Sequence, residues 1–314
     1  MKNVVNQKTI FTLIAALCCT AMVSAENGVL SGVFTINANG DKIQFAQGNL
    51  QATYDGSNWT WGFAAKQWDY IGNAAANNAI TGNGTVSANG TVDLFCWSTT
   101  ASYYGIHNNT GITFYAGDFV DWGELIGDGW RTLTKDEWER VVVGHPHGQA
   151  TVNGIHGLVV MPDGWTHSST PGGLYFEQIP KNWTTNKYTA DEWELLEEYG
   201  ALFLPAAGVR EGSKVGGIDF SGGYWSETSY QGPETNYYPG AYYAAFLQDG
   251  SGIEEDYLYY ASSVRLARPY ESHEAIESPS LQGRSGEASK LIKDGQLFIQ
   301  RGDELFNAQG TRVE

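Results

Sequence analysis

The side chains best suited to chemistry gather between Tyr224 and Tyr260. Tyr230, Tyr237, Tyr238, Tyr242, Tyr243, Tyr257, Tyr259 and Tyr260 stand there with Trp225, interleaved with Gly, Asn and Asp. Tyrosine gives a large rigid contact area with a hydroxyl handle at low entropic cost, which suits a recognition surface; strand alternation would equally send alternate rings into a core. In the same segment, residues 249–256 read Asp-Gly-Ser-Gly-Ile-Glu-Glu-Asp, oxygen donors set around flexible glycines. Asp249, Glu254 and Asp256 are therefore candidate calcium ligands. Together with Tyr230, Tyr237, Tyr238, Tyr242, Tyr257 and Tyr259, Asp249 also belongs to the candidate ligand-binding set. The spacing departs from the helix-loop-helix calcium template, and an ordinary solvated acidic loop has the same composition.

Two further groups invite a chemical reading. His145-Pro146-His147, with His156 downstream, offers imidazoles to a metal, while the proline and the preceding Gly144 equally describe solvent-facing loop histidines. Cys96 sits in the apolar run Leu94-Phe95-Cys96-Trp97, which favours a buried, inert thiol. No Gly-x-Ser-x-Gly nucleophile motif occurs, so no catalytic constellation is expected. Paired carboxylates for glycoside hydrolysis are defined by a separation in space, which a sequence rich in Asp and Glu does not fix.

The N-terminus sets where such a protein works. Lys2 and Lys8 precede an apolar run at residues 10–23 and the small-residue site Val23-Ser24-Ala25, so residues 1–25 read as a signal peptide. The mature chain is expected outside the cytoplasm: extracellular, at the cell surface or in the periplasm. It contains no other run of apolar residues long enough to span a bilayer, and so no integral membrane segment is expected. Removing Lys2 and Lys8 from the 18 basic residues leaves 16 against 35 acidic ones, a formal charge of −19. That balance argues against nucleic acid, whose phosphates call for Lys and Arg.

The elements that must position these residues are mostly strands. The apolar alternation over residues 29–36 and 43–46, around the turn at residues 37–41, predicts an opening hairpin. Thr134-Lys135-Asp136-Glu137 and Thr189-Ala190-Asp191-Glu192 are capping boxes, each opening a helix that stops at a glycine, Gly144 or Gly200. Asn153-Gly154 marks a hairpin between them. Residues 73–91 read as a surface loop. Strands are expected at 201–205, 242–247 and 263–267, the last two separated by the acidic loop. Residues 271–289 read as a polar linker, and residues 290–314 as a β-hairpin tail turning at Arg301-Gly302-Asp303. Two helices among many short strands make the domain at residues 26–270 α+β.

Three blocks resemble a known superfamily. Trp130-Arg131-Thr132-Leu133-Thr134-Lys135-Asp136-Glu137-Trp138-Glu139 is similar to the helix-opening block of formylglycine-generating-enzyme-like domains, although it lacks that block's proline. Residues 222–226, Gly-Gly-Tyr-Trp-Ser, and residues 263–268, Ser-Val-Arg-Leu-Ala-Arg, resemble the closing blocks of that superfamily and of related Bacteroidota surface-protein domains. The resemblance covers roughly residues 28–270. It implies a C-type-lectin-like fold: two helices flanking small twisted antiparallel sheets, with irregular loops carrying the function. Enzymes of the superfamily hold copper or iron with a cysteine pair or a histidine cluster, and Cys96, single and far upstream, matches neither. The signal peptide, the resemblance, the missing catalytic pair and the Tyr-rich segment together predict a non-catalytic exported protein that binds a glycan or a surface protein through Tyr-rich loops between Tyr224 and Tyr260, without a cofactor unless calcium is bound. A secreted glycan hydrolase and a structural subunit of a surface assembly are the alternatives. The tail also resembles a C-terminal sorting segment of exported Bacteroidota proteins.

Overall fold

The computed structural model describes residues 28–73, 80–86, 89–111, 117–230 and 239–271, and strands within 288–313. The expected leader at 1–25, Tyr237, Tyr238 and most of the expected linker lie outside the described residues. The chain divides into two compact units, Met1–Tyr270 and Glu271–Glu314.

In the first unit strands dominate, and the architecture is α+β. The opening hairpin pairs β1 (Phe34–Thr35) with β2 (Lys42–Phe45). Its turn is held by the Asn37 side-chain oxygen, which accepts from the Asn39 and Asp41 N–H groups at 3.0 and 3.1 Å, the local competition that makes Asn a turn residue. β3 (Leu50–Tyr54) pairs with β4 (Trp59–Phe63) on one side and β7 (Gly90–Val92) on the other. Between them, β5 (Ile80–Gly82) and β6 (Thr85–Val86) form a small hairpin. The segment expected as a surface loop thus contains strands, because Ile80 within it and Val92 just beyond it are buried apolar anchors on either side of a polar stretch. β8 (Phe95–Cys96) follows.

Both capping boxes are present. Thr134 and Glu137 open α2 (Lys135–Val142), and Thr189 and Glu192 open α3 (Ala190–Tyr199). Arg131 donates two 2.7 Å bonds to Glu137, tying the approach strand to the helix start. A third helix that the sequence did not announce, α1 (Gly123–Ile126), is one turn long; the Asp121 carboxylate fixes it by accepting from Gly123 N–H and from the N–H and hydroxyl of Thr132. At its far end α3 stops on Gly200 at φ 108°, where a side chain would meet the Gly32 backbone.

Between α2 and α3, β9 (His147–Val152) and β10 (Ile155–Val160) form the hairpin predicted by Asn153-Gly154, both of which take positive φ. β11 (Asn186–Tyr188) and β12 (Leu202–Pro205) complete that sheet. Then come β13 (Val209–Glu211) and β14 (Lys214–Gly216), followed by the three long strands β15 (Gly222–Tyr230), β16 (Gly240–Leu247) and β17 (Gly250–Tyr257). The last is a correction. The acidic run expected to be a loop pairs residue for residue with β16, after a two-residue turn at Gln248-Asp249. Pairing, not propensity, makes it a strand.

The strand expected at 263–267 is not formed: residues 263–266 lie between β18 (Tyr260–Ser262) and β19 (Ala267–Pro269), and Ala267 alone of that stretch is in a strand. Between them Arg265 turns inward, 1% exposed, and donates to Asn49 Oδ1 and to the carbonyls of Ala46 and Phe203 at 3.0–3.1 Å. Burial pulls its guanidinium down to about 10. β19 pairs with β2, so the end of the unit closes on its beginning. Among the described residues no helix is long and apolar enough to cross a membrane.

The second unit is an antiparallel meander of β20 (Ala288–Lys293), β21 (Gln296–Arg301), β22 (Glu304–Asn307) and β23 (Arg312–Val313). The expected hairpin is its central pair; the flanking strands extend it to four, and the first of them starts within the stretch read as linker.

Candidate functional site

The β15–β16–β17 sheet has two faces of opposite character, set by the two-residue side-chain period. Toward α2 it presents Tyr224, Ala244, Phe246 and Ile253, which pack with Trp138, Val141 and Val142 of the helix. Polar bonds lock this face: Trp138 Nε1 donates to Trp225 O at 3.1 Å, and Ser251 Oγ donates to Val142 O at 3.3 Å. A two-residue irregularity in β15 between Trp225 and Ser229 docks on the helix start. There Glu227 N–H donates to Leu133 O, and Lys135 N–H donates to Thr228 Oγ1.

On the opposite face, register sets Gly223, Ala245 and Gly252 in one row across the three strands, with Tyr243 and Glu254 paired beside it. Such small residues cannot fill the space above them. A cavity of about 500 Å³ lies there, walled by Gly208, Val209, Ser221 and Ser262 and edged by Leu247, Asp249, Glu254 and Asp256. Side chains added at Gly250 or Gly252 would meet nothing within 4 Å. Ser262 is only 5% exposed, and its hydroxyl oxygen lies 3.0 Å from where a Gly223 Cβ would stand, beside the Tyr243 ring. That hydroxyl has no hydrogen-bond partner among the described residues.

The local field is negative. Burial pushes the Asp256 carboxyl up to about 6, helped by the charges of Glu211 and Glu255 and opposed by the Tyr257 N–H it accepts at 2.8 Å. Burial likewise pushes the Tyr243 phenol up to about 12, with Asp256, Glu254 and Glu255 adding to the effect. The rings of Tyr257, Tyr259 and Tyr260 stack on one another at 4.7–6.3 Å, and Tyr259 too is raised to about 12, by burial first and then by Tyr260.

The structure thus divides the candidate set. Asp249, Glu254 and Asp256 line one groove. Tyr257 and Tyr259 belong to the ring stack. Tyr242 points to the helix side, where its ring lies 4.6 Å from Lys135 Nζ and meets Tyr230 edge-on at 5.3 Å. Tyr243, Ser262 and Gly223, absent from the candidate set, are central to the groove. For Tyr243 the signal was alternation itself, since adjacent Tyr242 and Tyr243 must face opposite ways on one strand.

No group of three or more His, Cys, Asp or Glu among the described residues is placed to hold a metal ion. The histidines read as loop residues are instead packed into the fold. His145 and His147 are each 8% exposed; a ring nitrogen of His145 bonds Thr35 O at 2.9 Å, and one of His147 bonds His145 O at 2.8 Å. Burial lowers the His147 imidazole. His156 stacks on Trp183 at 5.1 Å, away from this pair. Cys96 is buried, its Sγ 3.1 Å from Tyr259 O.

No family model, curated protein or solved structure matches the chain.

Proposed function

We propose that this is an exported, non-catalytic binding protein of C-type-lectin-like fold, a relative of formylglycine-generating-enzyme-like domains, and that it holds a saccharide in the groove over β15–β17. The fold reading is supported by two capped helices among small antiparallel sheets and by the pairing of β2 with β19. The observation that carries the functional reading is the glycine and alanine row, open above at Gly252 and flanked by Tyr243, Ser262 and three carboxylates. A sugar ring offers hydroxyl donors to carboxylates and an apolar face to an aromatic ring, and a site of that kind is concave with a few convergent polar groups. The Ser262 hydroxyl, which has no hydrogen-bond partner among the described residues, supplies one such group inside the groove.

Glycan-array binding by the mature chain, with and without calcium, tests this reading. Gly252→Val fills the groove without touching the helix-facing core and is expected to abolish the signal. Undiminished binding by that variant would put the site elsewhere, and no glycan signal would move the assignment to a protein partner, for which the 44% exposed Leu247 at the groove edge is the natural contact.

A further inference from the structure

We infer that the saccharide bound in this groove is a cationic one, carrying a free amino group that enters between Tyr243 and the carboxylates of Glu254 and Asp256. The inference rests on the binding reading above and deepens it.

Four observations converge. Asp249, Glu254 and Asp256 line the groove, and no Lys, Arg or His is among its lining residues. Glu254 and Asp256 are two apart on one strand and so share a face, about 7 Å from one Cα to the other, a spacing from which two flexible carboxylates reach a single small cation. Tyr243, paired directly with Glu254, brings an aromatic ring to the same point; a ring beside carboxylates favours an ammonium over a neutral group. Ser262 is buried and has no partner among the described residues, so its oxygen is available to accept from the ammonium from the wall side. Burial first, and then the charges of Glu211 and Glu255, raise the Asp256 carboxyl, so a cation beside it is favoured and an acidic sugar is not.

The mature full chain is titrated calorimetrically at neutral pH with a tetramer of N-acetylglucosamine and with its deacetylated counterpart. The deacetylated tetramer is expected to bind about tenfold more tightly or better. Glu254→Gln and Asp256→Asn should each cut that preference several-fold, while Ser262→Ala weakens the deacetylated tetramer and Glu194→Gln, on α3, leaves both affinities unchanged. A chain of this net charge attracts polycations anywhere on its surface, so Gly252→Val is the decisive control: binding of the deacetylated tetramer that survives it overturns the inference. Equal or tighter binding of the acetylated tetramer also overturns it while leaving the saccharide reading intact, whereas failure of both tetramers together with a blank glycan array overturns both.

Discussion

On one side of the β15–β16–β17 sheet, Tyr224, Ala244, Phe246 and Ile253 are packed against α2; on the other, the same strands present Gly223, Ala245 and Gly252 to an open groove. The two faces alternate along each strand, one residue apart. Neighbouring positions therefore carry different obligations: one must fill space and the next must leave it empty. The glycines show this most sharply. A Cβ at Gly222 would run into the Phe246 ring, while one at Gly252 would project into open space. A rigid, helix-backed sheet can afford an unfilled face because its other face supplies the packing.

Substitutions on the two faces should separate accordingly. Trp138→Ala removes the fully buried indole that anchors the helix side and is expected to cost about 3–5 kcal/mol in urea unfolding; a cost below about 1 kcal/mol would mean that α2 does not anchor the sheet. Gly222→Ala overpacks the same face and should cost about 1–3 kcal/mol. Thr134→Ala deletes the cap of α2 and should cost about 1 kcal/mol in the same assay, with the groove intact.

Asp256→Asn probes the groove side through pH. Its carboxyl titrates at about 6 in the folded chain against an ordinary 3.8. As pH rises through that window the unfolded chain loses its proton first, so the folded state is progressively disfavoured. The variant should therefore flatten the fall in melting temperature between those pH values and melt higher than the parent at neutral pH. Smallest of all, Gly252→Ala should change stability by no more than about 0.5 kcal/mol; a loss as large as that of Gly222→Ala would erase the distinction between the faces.

Much of the helical architecture was legible because its signals are local. A threonine and a glutamate three residues apart settle a helix start whatever surrounds them, as at Thr134 and Thr189. Asn153-Gly154 settled a hairpin in the same way. What escaped depends on distant partners. β17 is rich in glycine and acid and becomes a strand only because β16 lies beside it. His145 and His147 are buried through contacts with Thr35 and the strand ends around them, which no local pattern announces. The candidate site was half legible: its acids were found by composition, whereas Ser262 and Gly223 are ordinary residues that matter only through where the sheets bring them.

The pairing of β2 with β19 has a consequence for how the protein is made. Phe45 and Ala267 are partners across about 220 residues, and Ala46 and Leu50 donate their N–H groups to Leu266 and Val264 nearby, a separation that makes folding slow because chain closure must precede the contacts that reward it. A chain emerging from its N-terminus exposes β2 long before its partner exists. The first sheet therefore stays unfinished until the last strand of this unit arrives, and its free edge is open to wrong pairings for all of that time.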